Sequence, residues 1–252
     1  MEHATHTSGT PRRALIVWGG WDGHEPEQIA AIFAAALRDR GFDVAVSATL
    51  DAFLDAERLR SLDLIVPLWT MGTITTEQLA ALLAAVEGGV GLGGCHGGMG
   101  DAFRNAPDYQ FMTGGQWVAH PGNDGVTYTV TIADDAHYIT EGARDFTVAT
   151  EQYYMHVDPA NKVLATTRFP VADGPHAANG PVEVPVVWTR VWGQGRVFYC
   201  SLGHHANVVA QPEVLSLCVR GLLWAARAES DTPHNAGGTT RESLAAGKED
   251  RA

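Results

Sequence analysis

Basic residues are scarce in this 252-residue chain: 17 lysines and arginines face 29 aspartates and glutamates, for a formal net charge of -12. A nucleic acid is held through a basic footprint that displaces counterions, and an anionic membrane surface asks for the same, so both are excluded as partners. Cysteine is scarce too. Cys95, Cys200 and Cys218 are odd in number and far apart, so they make no all-paired framework and point to a reducing compartment. Long hydrophobic runs are missing, and nothing approaches the ~18 consecutive apolar residues that span a bilayer. The pair Arg12-Arg13 precedes Ala14-Leu15-Ile16-Val17, but Trp18 and two glycines end that run at once. It reads as a first buried strand, not a signal peptide, and a cytoplasmic location is the expectation.

Apolar residues make up 45% of the chain, enough for a substantial core in one large domain. Residues 1–12 are polar without period, and from Glu229 onward large apolar residues almost vanish. Both ends are expected to be disordered, leaving a folded domain over 13–228 with no internal repeat. Its front half alternates strand and helix. Ala14–Trp18 is a buried strand closed by glycines. Pro26 opens a helix with Ile29, Ile32, Phe33, Ala36 and Leu37 on one stripe, up to Gly41. Phe42–Ala48 and Leu62–Leu68 are further strands. Thr75 and Gln78 form a capping box before the helix Glu77–Glu87, and Val90–Gly94 is the fourth strand. Later, Val126, Tyr128, Val130 and Ile132 alternate with threonines. Val184–Trp192 and Arg196–Leu202 flank a hairpin-like Gly193-Gln194-Gly195, and Pro212–Arg227 closes the domain as a helix with Val214, Leu217, Cys218, Gly221, Leu222 and Trp224 inward. The expected class is α/β: a flavodoxin-like three-layer sandwich, mostly parallel, with antiparallel strands added in the C-terminal half. Ligands of such sheets sit beyond the carboxyl ends of the strands.

Residues that carry chemistry recur at those places. Gly19-Gly20-Trp21-Asp22-Gly23-His24 follows the first strand, and its glycines, Gly20 among them, let backbone amides approach a ligand. Leu68-Trp69-Thr70 ends the third, offering an indole as a platform for a sugar face. Gly94-Cys95-His96-Gly97-Gly98 has the form of the sharp strand-to-helix turn that exposes its central side chain, here His96. Cys95, one residue earlier, points elsewhere by strand alternation. His120-Pro121, Glu151-Gln152-Tyr153, Trp188-Thr189-Arg190 and Gly203-His204-His205 complete the series.

In order, these segments resemble the ThuA-like (trehalose utilisation) family of the wider class I glutamine amidotransferase-like superfamily, over roughly Arg13 to Arg227. The matching motifs are Gly19-Gly20 with His24, the Gly94-x-His96 turn, Gly115 to His120-Pro121, Glu151 with Tyr153, Trp188-Thr189-Arg190 and Gly203-His204. The resemblance implies a flavodoxin-like fold, histidine where amidotransferases place cysteine, and a link to sugar catabolism alongside sugar dehydrogenases. Cys95 beside the elbow and His205 in place of an aspartate depart from the pattern.

Glutamine hydrolysis needs an activated thiolate, which His96 at the elbow does not supply; it would take Cys95 there instead, with His204 as its base. The expected chemistry is on a keto-sugar or 3-keto-glycoside, where the carbonyl acidifies the neighbouring C–H. Removal of that proton leads to elimination, net hydrolysis or isomerisation. Proton transfer is assigned to His96 and Glu151, and substrate contacts to Gly20, Trp69, Gly97, Tyr153 and Arg190. His24, His120 and His204, with Glu151, make an N/O set for a divalent ion, zinc or manganese; no nucleotide cofactor is expected. The ligand is a small carbohydrate, the functional partner a sugar dehydrogenase, and a homo-oligomer is compatible with the chain. The rival reading is a non-catalytic carbohydrate-binding module on the same fold.

Overall fold

The computed structural model describes residues 11–169 and 175–227; the expected disordered ends lie almost entirely outside them. The front half runs β1 (Arg13–Gly20), α1 (Pro26–Arg38), β2 (Asp43–Ser47), α2 (Ala56–Arg60), β3 (Leu64–Thr70), α3 (Thr76–Glu87), β4 (Gly91–Cys95) and α4 (His96–Gly100). The back half adds α5 (Pro107–Thr113), β5 (Gly115–Ala119), β6 (Val126–Ile132), β7 (Phe146–Thr150), β8 (Tyr154–Val157) and β9 (Lys162–Phe169). It finishes with β10 (Val182–Trp192), β11 (Gly195–Cys200), α6 (Ala206–Val209) and α7 (Pro212–Ala225).

Nine of the strands form one sheet in the order β2-β1-β3-β4-β11-β10-β9-β6-β7. The first five are mutually parallel, and each later pairing is antiparallel. β1 shows why the centre is buried on both faces. Ala14 and Ile16 pack with α1 and α7 through Phe33, Leu37, Leu217 and Leu222, whereas Leu15 and Val17 pack with the opposite layer through Phe53, Leu59 and Leu82. Helices therefore cover both faces, as expected for a three-layer α/β sandwich. The capping box forms as read, with Thr75 Oγ1 accepting from Gln78 N at 3.2 Å and Gln78 Oε1 accepting from Thr75 N at 3.0 Å. The hairpin also forms, with Trp192 opposite Gly195. Trp224 is only partly buried, on the flank of α7.

Strand direction decides what reaches the ligand edge. Four reversals separate β11 from β7, so β7 runs with the parallel strands and delivers Glu151 to the same edge as His24, His96 and His204. β10 runs the other way, and its last residues point to the far edge.

Candidate functional site

His24 ends a short 3-10 turn after β1 and is buried. Its Nδ1 is hydrogen-bonded to Thr70 Oγ1 at 2.7 Å, which fixes the ring. His96 follows β4 at a φ of +50°, a left-handed conformation that costs a non-glycine residue energy and holds its side chain at the sheet top. Cys95 points into the core, and burial pushes its thiol well above its ordinary pKa, so it is no nucleophile. His204 follows β11, and Glu151 follows β7.

These four side chains converge. Glu151 Oε2 lies 3.2 Å from His96 Nε2, 3.3 Å from His204 Nδ1 and 3.9 Å from His24 Nε2. The donor atoms of all four lie within 4.8 Å of one another. Glu151 Oε1 faces His120 Nδ1 at 3.7 Å. Tyr153 stacks on His96 with ring centroids 3.9 Å apart.

The protonation pattern follows from the partners. Burial, then the neighbouring imidazoles of His96 and His204, pushes His24 from 6.5 down to about 2. Burial also lowers His96, against the opposing pull of the Glu151 carboxyl and the Ser201 carbonyl. His24 and His96 are thus neutral rings beside the Glu151 carboxylate. His96 Nδ1 donates to the Ser201 carbonyl at 2.8 Å, so the neutral ring has a bare Nε2. That lone pair faces a carboxylate oxygen, two acceptors together. His204 Nδ1 is buried and lacks hydrogen-bond geometry to any partner. A divalent cation resolves both conflicts, and an imidazole whose other nitrogen donates to a backbone carbonyl is how metal-bound histidines are held. The residues fit such an ion.

Gly97 is required by closeness. A Cβ there would lie 2.5 Å from His24 Cε1 and 2.9 Å from Thr70 Oγ1. Gly97→Ala is expected to dislodge His24 and cost about 1–3 kcal/mol of stability, measured by denaturant unfolding. Gly20, at a φ of +82°, is likewise pressed on the Thr70 backbone. It shapes the turn that carries His24.

The pH dependence has a defined sign. An unfolded His24 takes its proton near 6.5 and the folded one only near about 2, so its neutral form contributes stability above 6.5 that is lost as pH falls below that value. The melting temperature of chelator-treated protein should fall between about pH 7.5 and 5.5. An unchanged melting temperature would mean that His24 is protonated in the fold.

Of the five expected substrate contacts, Tyr153 lines the cavity, Gly20 and Gly97 shape the turns around His24, and Arg190 and Trp69 lie elsewhere. Arg190 lies near the end of the antiparallel β10, at the far edge, where its Nη1 pairs with Asp158 Oδ2 at 3.1 Å and reaches Asn161 Oδ1 at 3.3 Å. Trp69 lies inside β3, which runs to Thr70, two residues past the expected end. Its ring fills the space above Gly19 and Gly72. Neither lines the cavity beside Glu151. His96 and His120 exchange positions relative to expectation: His96 belongs to the inner set, behind Glu151, while His120 stands on the cavity wall. His205, outside the inner set, has Asp124 3.5 Å from Nε2 and Glu25 3.6 Å from Nδ1.

The cavity measures about 200 Å³, below the roughly 300–1,000 Å³ of pockets for drug-sized ligands. His24, His120, Glu151 and Tyr153 line it, together with Trp21, Asp101, Arg104 and Trp117. Trp21 and Trp117 stood in the sequence motifs without a role, and Asp101 and Arg104 follow the elbow by a turn with nothing local to mark them.

Strand order β2-β1-β3-β4-β11 with a site at the carboxyl edge defines a flavodoxin-like α/β protein bearing a histidine–carboxylate cluster. Its sequence matches the ThuA family, described as trehalose utilisation, over residues 13–225, and the chain belongs to that family. A ThuA-like protein from Bacteroides uniformis superposes with a TM-score of 0.71 at 18% identity, over 89% of this chain and 95% of that one. One from Parabacteroides merdae gives 0.67 at 18% identity, over 88% and 93%. A β-galactosidase from Rahnella gives 0.55 at 15% identity, covering 86% of this chain but 32% of the enzyme. At these identities the likeness is one of fold. No curated protein matches the sequence. Among the described residues no helix is long and apolar enough to cross a membrane.

Proposed function

We propose that this protein acts on an oxidised sugar, a keto-sugar or 3-keto-glycoside, by removing the proton from the carbon beside the carbonyl. The glycosidic oxygen then leaves by elimination, with net hydrolysis if water adds afterwards, or the carbonyl migrates in an isomerisation. The observation that carries this reading is the convergence of His24, His96, His120 and His204 on Glu151 at the edge of a small cavity with aromatic walls. Family membership ties the chain to sugar metabolism.

His120 suits the role of base. It lines the cavity, and its buried Nδ1 faces Glu151 Oε1 at 3.7 Å, which leaves Nε2 as the nitrogen for the substrate proton. His24, His96, His204 and Glu151 Oε2 would hold the divalent ion, zinc or manganese by donor type. When bound, the ion supplies Lewis-acid stabilisation of negative charge at the carbonyl oxygen. Tyr153 backs His96 and offers a ring face to the sugar. A sugar dehydrogenase would supply the oxidised substrate.

The test uses protein purified without a histidine tag, assayed for bound metal and for turnover of 3-keto-trehalose and 3-keto-glucosides. Turnover that is lost on chelation and restored by zinc or manganese is expected. No turnover under any metal condition, with saturable binding of an unmodified glycoside, would instead establish a carbohydrate-binding module.

A further inference from the structure

One wall of the cavity is not used by this chemistry. Asp101, one turn past the elbow, is buried, and Arg104 grips it through two hydrogen bonds: Nε to Oδ1 at 2.6 Å and Nη2 to Oδ2 at 2.8 Å. The guanidinium lies over the Trp117 ring, 4.8 Å from its centroid. Trp117 Nε1 is buried and has no hydrogen-bond partner. The indole ring thus backs the guanidinium, with its N–H closed to solvent.

We propose that Asp101, Arg104 and Trp117 form a subsite for the non-reacting vicinal hydroxyls of a neutral sugar ring. The inference deepens the proposed function and rests on it for the identity of the reacting end. A hydroxyl both donates and accepts. Each Asp101 oxygen keeps a lone pair after binding Arg104, and the guanidinium keeps unused N–H groups. Two adjacent hydroxyls meet both needs. Charge sets the ligand class: Asp101 cancels the arginine, so the wall carries no net positive charge to attract a phosphate or carboxylate. A free arginine would have made an anion site. The pair and the indole also hold one another in place, so the subsite is ordered before the sugar arrives.

The experiment measures binding of methyl glucoside, glucuronic acid and glucose 6-phosphate by calorimetry, and the KM for a 3-keto-glucoside. The wild-type protein should prefer the neutral sugar by about tenfold or more. Arg104→Ala should raise the Kd for methyl glucoside, and KM with it, by about tenfold, and Trp117→Phe, which narrows the ring under the guanidinium, by less. The arginine side chain is 43% exposed, and phenylalanine keeps an aromatic ring, so both variants should fold. Anionic sugars binding as well as the neutral one, or no neutral sugar binding at all, would overturn the subsite. So would keto-glycoside turnover with KM and Kd untouched in both variants, which leaves the proposed function standing. Variant-sensitive glucoside binding without any turnover would do the reverse.

Discussion

Glu151→Gln should reduce turnover of a 3-keto-glycoside by about 10²–10⁴-fold and leave the folded protein as stable as before, or more so when free of metal. The two halves of this expectation have one cause. Glu151 Oε2 is the point on which His24, His96 and His204 converge, and Oε1 is the group behind His120. Glutamine keeps the shape and removes the charge. It takes away the anionic member of the ion site and the carboxylate that faces His120 Nδ1. Its amide N–H, however, can donate to the bare Nε2 of His96, replacing an acceptor–acceptor contact at 3.2 Å with a hydrogen bond. A site that gains stability on losing its function was arranged for function. Metal titration, steady-state kinetics and thermal melts of chelated protein decide it. A large loss of stability would show that the carboxylate serves the fold, and an unchanged kcat would remove Glu151 from the chemistry.

The convergence was legible in the sequence only where strand direction is implied by local pattern. His24, His96 and His204 each follow a strand of the parallel set, and the βα alternation and glycine turns announce that set. Arg190 also stands near a strand end, but β10 is antiparallel, and nothing in Trp188-Thr189-Arg190 records its direction; that is decided by the pairing with β11. Trp69 sits within β3, which runs on to Thr70 because its pairing with β1 continues as far as Gly20. The exchange of His96 and His120 is subtler. Which nitrogen of His96 is bare depends on the Ser201 carbonyl, 105 residues away in the chain. The short strands β5 and β8 escaped notice because Gln116, Trp117 and His156 break any clean alternation, and their partner is each other. Of the cavity wall, Trp21 and Trp117 lay within motifs already singled out, whereas Asp101 and Arg104 become meaningful only once the elbow is seen to bring them beside β5.

His96→Gly and His96→Ala form a pair whose difference isolates the strain at the elbow. Both remove a nitrogen from the ion set, so both should weaken divalent-ion binding and turnover by at least about 10²-fold. Both also strip the Ser201 carbonyl of its donor and leave a void under Tyr153. Those losses are common to the two variants and cancel in the comparison. What remains is the backbone. In an ordinary segment glycine is the worse residue, by roughly 0.5–1 kcal/mol relative to alanine, because it loses more freedom on folding. At a φ of +50° the order should invert, since a Cβ in the left-handed region costs about 1–2 kcal/mol that glycine escapes. The glycine variant should therefore be the more stable of the two, by up to about 1 kcal/mol, in denaturant unfolding at matched pH without metal. Alanine proving the more stable would mean that the turn relaxes once the imidazole is gone, and that Ser201 and Glu151, rather than the backbone of β4 and α4, hold the ring in position.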